Sequence, residues 1–131
     1  MKKLFLSALL LTLTVFVQSQ TVITSFKNQI LGKIDGEFVI KSTNYEPIEM
    51  SVYNNTLVVR DRANSVYRIT SDEPVVKRDK TGEYKFYNAK DESLTGCSIV
   101  IMKPYNTDLR DPFVAVMYDN FWYVYFIKTQ D

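Results

Sequence analysis

Histidine is absent from all 131 residues, and cysteine occurs once. Without His there is no Ser-His-Asp triad, no Cys-His dyad and no His-ligated metal site of the usual kinds. A single Cys excludes an intrachain disulfide and every Cys-rich zinc cluster. Glycine and proline number four each, too few for a collagenous or low-complexity chain. Charge of one sign is also missing. Sixteen Lys+Arg face fifteen Asp+Glu, a net charge of +1 that lacks the electrostatic footprint of a nucleic-acid binder. No Gly-rich phosphate loop exists, because Gly32 and Gly36 are followed by Lys33 and Glu37 rather than by a helix start. What the chain does hold is bulk. Apolar residues make up 46% and aromatic residues 14%, the composition of one globular domain.

The start reads as an address. Met1-Lys2-Lys3 is followed by the uncharged run Leu4 to Val17, too short for a bilayer that needs about 20 apolar residues. A basic start, a short apolar stretch and then small residues describe a cleaved signal peptide over residues 1–19, with Val17 at −3 and Ser19 at −1. Cleavage after Gln20 is the near alternative. The Lys-Lys start resembles bacterial leaders, which implies a periplasmic or secreted protein. No Cys near the cleavage site offers a lipid attachment point, and no other segment reaches membrane-spanning length, so no stable membrane insertion is expected. The expected product, residues 20–131, is a single domain with a net charge of −1, since Lys2 and Lys3 leave with the leader.

From Glu37 onward apolar residues alternate with period two in short runs broken by Asn, Asp, Gly and Pro. Three breaks predict hairpins. At Asn54-Asn55 a type I′ turn, which needs two left-handed residues, pairs Val52 with Leu57 and Met50 with Val59 on one face and sets Glu49 against Arg60 on the other. At Asp119-Asn120 a second hairpin pairs Met117 with Trp122, Val116 with Tyr123 and Val114 with Tyr125. Its two faces are both apolar, so both are expected to be covered, and Trp122→Ala is expected to cost about 3–5 kcal/mol as a core truncation. At Asp79-Lys80-Thr81-Gly82 a third hairpin joins Val75–Arg78 to Glu83–Asn88, with Gly82 expected at positive φ. Further strands are predicted over Lys33–Lys41, Val66–Thr70 and Cys97–Lys103, while Thr21–Leu31 fits either a helical stripe or a strand. The pattern is all-β, about eight strands, in a small antiparallel barrel or a β-sandwich. A short N-terminal segment followed by up-and-down hairpins is similar to lipocalin-like barrels in outline. The Gly-x-Trp signature of that family is missing, since the sole Trp is Trp122, so no family is assigned.

Catalysis has little to stand on. A nucleophilic Ser or Cys needs a base, and Cys97 sits at the head of an alternating strand where it reads as a small hydrophobe. The acid pairs Asp91 with Glu92 and Asp108 with Asp111 lie in predicted loops. They leave a His-free carbohydrate-active enzyme as a minor alternative. Asn106 to Asp111 offers oxygen ligands for calcium, but it lacks the loop glycine and contains Arg110. A polar turn with an Arg–Asp pair explains it better. No cofactor and no metal site are expected, and no enzyme activity.

The unusual feature is tyrosine, nine in all. Its ring is apolar and its hydroxyl wants a partner, which suits ligand cavities and recognition surfaces alike. Tyr118, Tyr123 and Tyr125, with Val116, are the expected lining for a small apolar or sugar-like ligand. The competing expectation is an interaction module, an inhibitor or accessory subunit of another exported protein, that presents the loop residues Tyr105, Asp108, Arg110 and Asp111.

Overall fold

Period-two alternation becomes a closed shell in the computed structural model, which describes residues 21–61 and 64–128. The expected leader over residues 1–19 lies outside the described residues. Ten strands form: β1 (Thr21–Ile34), β2 (Glu37–Asn44), β3 (Glu49–Tyr53), β4 (Thr56–Arg60), β5 (Ser65–Ile69), β6 (Val75–Arg78), β7 (Gly82–Asp91), β8 (Gly96–Pro104), β9 (Phe113–Met117) and β10 (Phe121–Ile127). Every pairing is antiparallel, and β10 pairs back onto β1 to close an eight-stranded barrel, with β2 and β6 as additions. The barrel, not the sandwich, is the architecture.

The two additions have one cause. β2 and β3 lie along the same side of β1, at Asn28–Ile34 and Thr21–Thr24 respectively. They are one barrel position interrupted by the bulging segment from Tyr45 to Ile48. β5 and β6 share β7 in the same way, at Ala89–Asp91 and Glu83–Phe86, with Ser71 to Pro74 bulging between them. Collapsing each interrupted pair leaves eight positions in chain order, an up-and-down meander. Closure removes the open edges that would otherwise template aggregation.

Local chemistry sets the register. Asn54 and Asn55 take φ of 50° and 60°, and the strands they join pair Val52 with Leu57 and Met50 with Val59. Arg60 Nε lies 3.2 Å from Glu49 Oε1 across this hairpin. Asp35 and Gly36 repeat the geometry with φ of 51° and 82°. This turn divides the expected strand Lys33–Lys41 into the end of β1 and the start of β2. Asp-Gly is a strong hairpin signal, and here it outweighs the apolar alternation on either side. Thr21–Leu31 is strand. Its Val22 and Phe26 would share a helical stripe, but β10 and β3 offer ladder partners along its length.

Gly82 departs from expectation. It does not adopt a positive φ. Its lack of a side chain matters instead, because a Cβ there would sit 2.5 Å from the carbonyl oxygen of Lys103 on β8. The turn is held by the Asp79 carboxylate, which accepts from the Thr81 amide at 2.8 Å, the Gly82 amide at 3.0 Å and the Thr81 hydroxyl at 2.7 Å.

The interior is packed with Met50, Leu57, Val59, Tyr87, Ile99 and Ile101, each at most 1% exposed. Eight strands enclose a space that such side chains fill, so the middle of the barrel is core rather than lumen. The β9–β10 hairpin has its expected register, Trp122 with Met117 and Tyr125 with Val114. Its two faces fare differently. The tyrosine face looks into the barrel. The face bearing Trp122, Val124 and Phe126 looks outward, where among the described residues no second layer lies over it. Its rings cover one another, and Val100, Ala115 and Val124 are buried beneath them. The expectation that Trp122 is a core residue therefore fails: it is only half-buried.

Candidate functional site

One end of the barrel is open, and tyrosines mark it. β5 delivers Tyr67, the β9–β10 hairpin delivers Tyr118, Tyr123 and Tyr125, and the bend after β4 and the end of β7 bring Asp61 and Asp91 to the same rim. Together they border a cleft of about 500 Å³. On the β1 side a second hollow of about 680 Å³ is bordered by Asn28, Asn44, Glu46 and Ile48. The two share Asp61, Tyr123 and Tyr125, so they are lobes of one depression. Volumes of this size fall within the range of small-molecule sites.

Hydrogen bonds fix the first lobe. The Tyr118 hydroxyl donates to Asp91 Oδ2 at 2.7 Å, while Asp91 Oδ1 accepts from the amides of Ser93 at 3.0 Å and Thr95 at 2.9 Å. The Tyr118 bond and these amides hold the Asp91 carboxyl below its ordinary range. In return, burial and the bond to Asp91 push the Tyr118 phenol well above the usual value. The Tyr118 ring stacks on Phe121 at 4.7 Å and meets Tyr123 edge-on at 6.5 Å. Phe121 in turn packs edge-on against Tyr123 at 5.4 Å. These contacts lock the rings before any ligand arrives, which lowers the ordering cost of binding.

Deeper in, Tyr67 and Tyr125 are 4% and 5% exposed. Burial pushes the Tyr67 phenol up to about 12 and the Tyr125 phenol higher still. Both stay neutral hydroxyls at physiological pH, able to donate and to accept. Cys97 is half-buried nearby, and burial followed by the Asp91 charge raises its thiol to about 11. A thiol held protonated is a poor nucleophile.

The second lobe exists because the Tyr45–Ile48 bulge is pinned. Asn28, 5% exposed, donates from its amide to Asn44 Oδ1 at 2.9 Å and to the Glu46 carbonyl at 2.7 Å. The Ser25 hydroxyl donates to Asn28 Oδ1 and accepts from the Ile48 amide. A buried Asn satisfied in this way shapes the wall rather than weakening the core.

Of the residues named from sequence, Tyr118, Tyr123 and Tyr125 gather at the mouth. Val116 does not reach it: with no exposure, it sits in the barrel core below. The loop residues lie at the opposite end. Tyr105 is 59% exposed there, and Asp108 uses its amide to close a turn on Asn106 Oδ1. Arg110 does not form the expected Arg–Asp pair. Its Nη1 donates to the Thr81 hydroxyl at 2.8 Å and to the Tyr84 hydroxyl at 3.0 Å, because the Asp79–Gly82 turn is its neighbour. Asp111 is half-buried at the end of that loop. Among the described residues no group of three His, Cys, Asp or Glu side chains is placed to hold a metal.

Sequence reasoning missed Asp61 and the Asn28–Asn44 pair as parts of the mouth. Asp61 follows the charged end of a strand and carries no local signal. Asn28 and Asn44 meet only through β1–β2 pairing, which the overlooked Asp35-Gly36 turn would have revealed. No known family model, curated protein or solved structure matches the chain.

Proposed function

We propose that the chain is an exported, non-catalytic binding protein that holds a small, sugar-like ligand at the tyrosine-lined mouth of its barrel. The observation that carries this reading is the convergence of Tyr67, Tyr118, Tyr123 and Tyr125 with Asp61 and Asp91 around one open cleft. Aromatic faces pack against the C–H faces of a sugar ring, and phenols and carboxylates take its hydroxyls. The filled interior leaves the mouth as the place for a ligand. Its acids disfavour an anion, and its polar rim favours a hydroxyl-rich ligand over a purely apolar one. A general acid needs a raised carboxyl, whereas Asp91 is held low by its three donors, which argues for binding over hydrolysis.

Saturation-transfer NMR with neutral disaccharides tests this reading. Transfer to ring protons is expected with the intact protein and is expected to vanish in Tyr123→Ala. Transfer that persists in Tyr123→Ala, or none from any neutral sugar tried, overturns it. A second reading, docking of another exported protein, is favoured by the exposure of Leu109 and Tyr105, 84% and 59%, on the far loop.

A further inference from the structure

The outward face of the β9–β10 hairpin is a groove with a floor, walls and a charged rim. Val100, Ala115 and Val124 form the floor, 2%, 1% and 6% exposed. They are small, whereas Phe113, Trp122, Phe126, Tyr84 and Phe86 around them are large, so the sheet surface is recessed there by about 280 Å³. The lining is almost wholly apolar. Three cations stand over its walls, and a fourth lies just outside them over Phe38. Lys27 Nζ lies 4.5 Å from the Phe126 ring centre, and Lys77 Nζ lies 5.2 Å from that of Phe86. The Arg110 guanidinium is 5.9 Å from Phe113 and 6.0 Å from Tyr84. Lys33 lies 5.8 Å from Phe38, whose ring stacks on Trp122 at 4.1 Å. Among the described residues none of the four reaches a carboxylate, whose ion pairs fall to Arg60 and Arg78 instead.

We infer that this groove binds a single-chain anionic amphiphile of the fatty-acid class, with the alkyl chain on the Val100–Ala115–Val124 floor and the carboxylate at the cationic rim. Charge complementarity selects the head group, since four cations that reach no carboxylate among the described residues surround one apolar recess. The same charge disfavours a second copy of the chain, which would bring cations against cations. Size selects the single chain. At about 280 Å³ the recess lies near the lower bound of small-molecule sites. Its concavity suits a chain that enters it. Insertion into a bilayer would instead call for a protruding apolar surface. The cation–π contacts place each charge beside the apolar wall, so head and chain are met together.

Trp122 is the only tryptophan, so its emission reports this groove alone. The test is a fluorescence titration of the intact protein with sodium laurate below its micelle concentration, beside dodecyltrimethylammonium, which has the same chain and an opposite head. Laurate is expected to shift the emission saturably and to bind roughly tenfold or more tighter than the cationic amphiphile, a preference that shrinks at high salt. Lys27→Glu with Lys77→Glu, both on the surface, is expected to weaken laurate by about tenfold while circular dichroism stays that of the parent barrel. Ala115→Leu, which fills the floor, is expected to block laurate without removing any charge. Equal affinity for the two amphiphiles, or a Trp122 response that both variants leave intact, overturns the assignment. So does an emission change caused by an acidic peptide when laurate causes none. Tyr123→Ala, at the mouth, is expected to leave the laurate titration unchanged, so this result and the sugar result stand or fall separately.

Discussion

The two sides of the β9–β10 hairpin are almost equally aromatic, yet they meet opposite surroundings. Inward, Tyr118, Tyr123 and Tyr125 lie among strands brought from across the barrel and beside Asp61 and Asp91. Outward, among the described residues, Phe113, Trp122 and Phe126 have only their sheet neighbours and a ring of cations. Alternation alone made the two faces look alike, and closure made them different. Residues of one strand one position apart serve core and mouth on one side and an uncovered groove on the other. The hydroxyls follow the same division: phenols at the acidic inner rim, bare rings on most of the outer face.

The largest expected effect is on stability, in the packed interior. Ile101→Ala removes a side chain with no exposure from the barrel core and is expected to cost about 2–5 kcal/mol in a urea titration. A loss below 1 kcal/mol would mean that the interior is not the close-packed core described above.

Alkaline pH should have the next largest effect, because the phenols raised by burial all lie on the inner face. Tyr67, Tyr118 and Tyr125 all have phenols raised by burial, so their neutral forms favour the folded state. A raised pKa contributes stability that is complete below the unfolded value near 10 and is lost as pH rises through the folded value. For Tyr67 that window runs from about 10 to about 12. The loss there is on the order of 2 kcal/mol once solvent screening is allowed for. Melting temperature measured from pH 8 to pH 12 is expected to be level at first and then to fall. A level curve to pH 12 would show that the phenols are not buried beneath the mouth.

The smallest effect sharpens the outer side. Trp122→Ala truncates a half-exposed ring and is expected to cost about 1–2 kcal/mol, well short of a core deletion. A cost of 4 kcal/mol would mean that Trp122 is covered by something other than Phe38 and its strand neighbours.

Much of the fold was legible because its signals are local. The Asn54-Asn55 and Asp119-Asn120 hairpins have the register read from sequence, and Glu49 meets Arg60. Turn chemistry and period two are enough for that. The Asp35-Gly36 turn was equally local and was overlooked amid the apolar alternation around it. What could not be read was non-local. Which face of Phe113–Ile127 points inward depends on closure by β1, and the burial of Val116 depends on the same pairing. The tyrosines of the mouth were recognisable as a set, but their acidic partners come from the bend after β4 and the end of β7, far away in sequence. The role of Gly82 depends on Lys103 across a strand, which no turn rule contains.

Amide chemical-shift mapping of the ¹⁵N-labelled protein with a neutral disaccharide and, separately, with laurate tests the division of the hairpin most directly. Two disjoint sets of shifted amides are expected. The disaccharide set lies along Asp91–Thr95 and the Tyr118–Phe121 turn, and the laurate set lies around Val100, Ala115 and Val124. A single set that responds to both ligands, or shifts confined to the Tyr105–Asp111 loop, would contradict it.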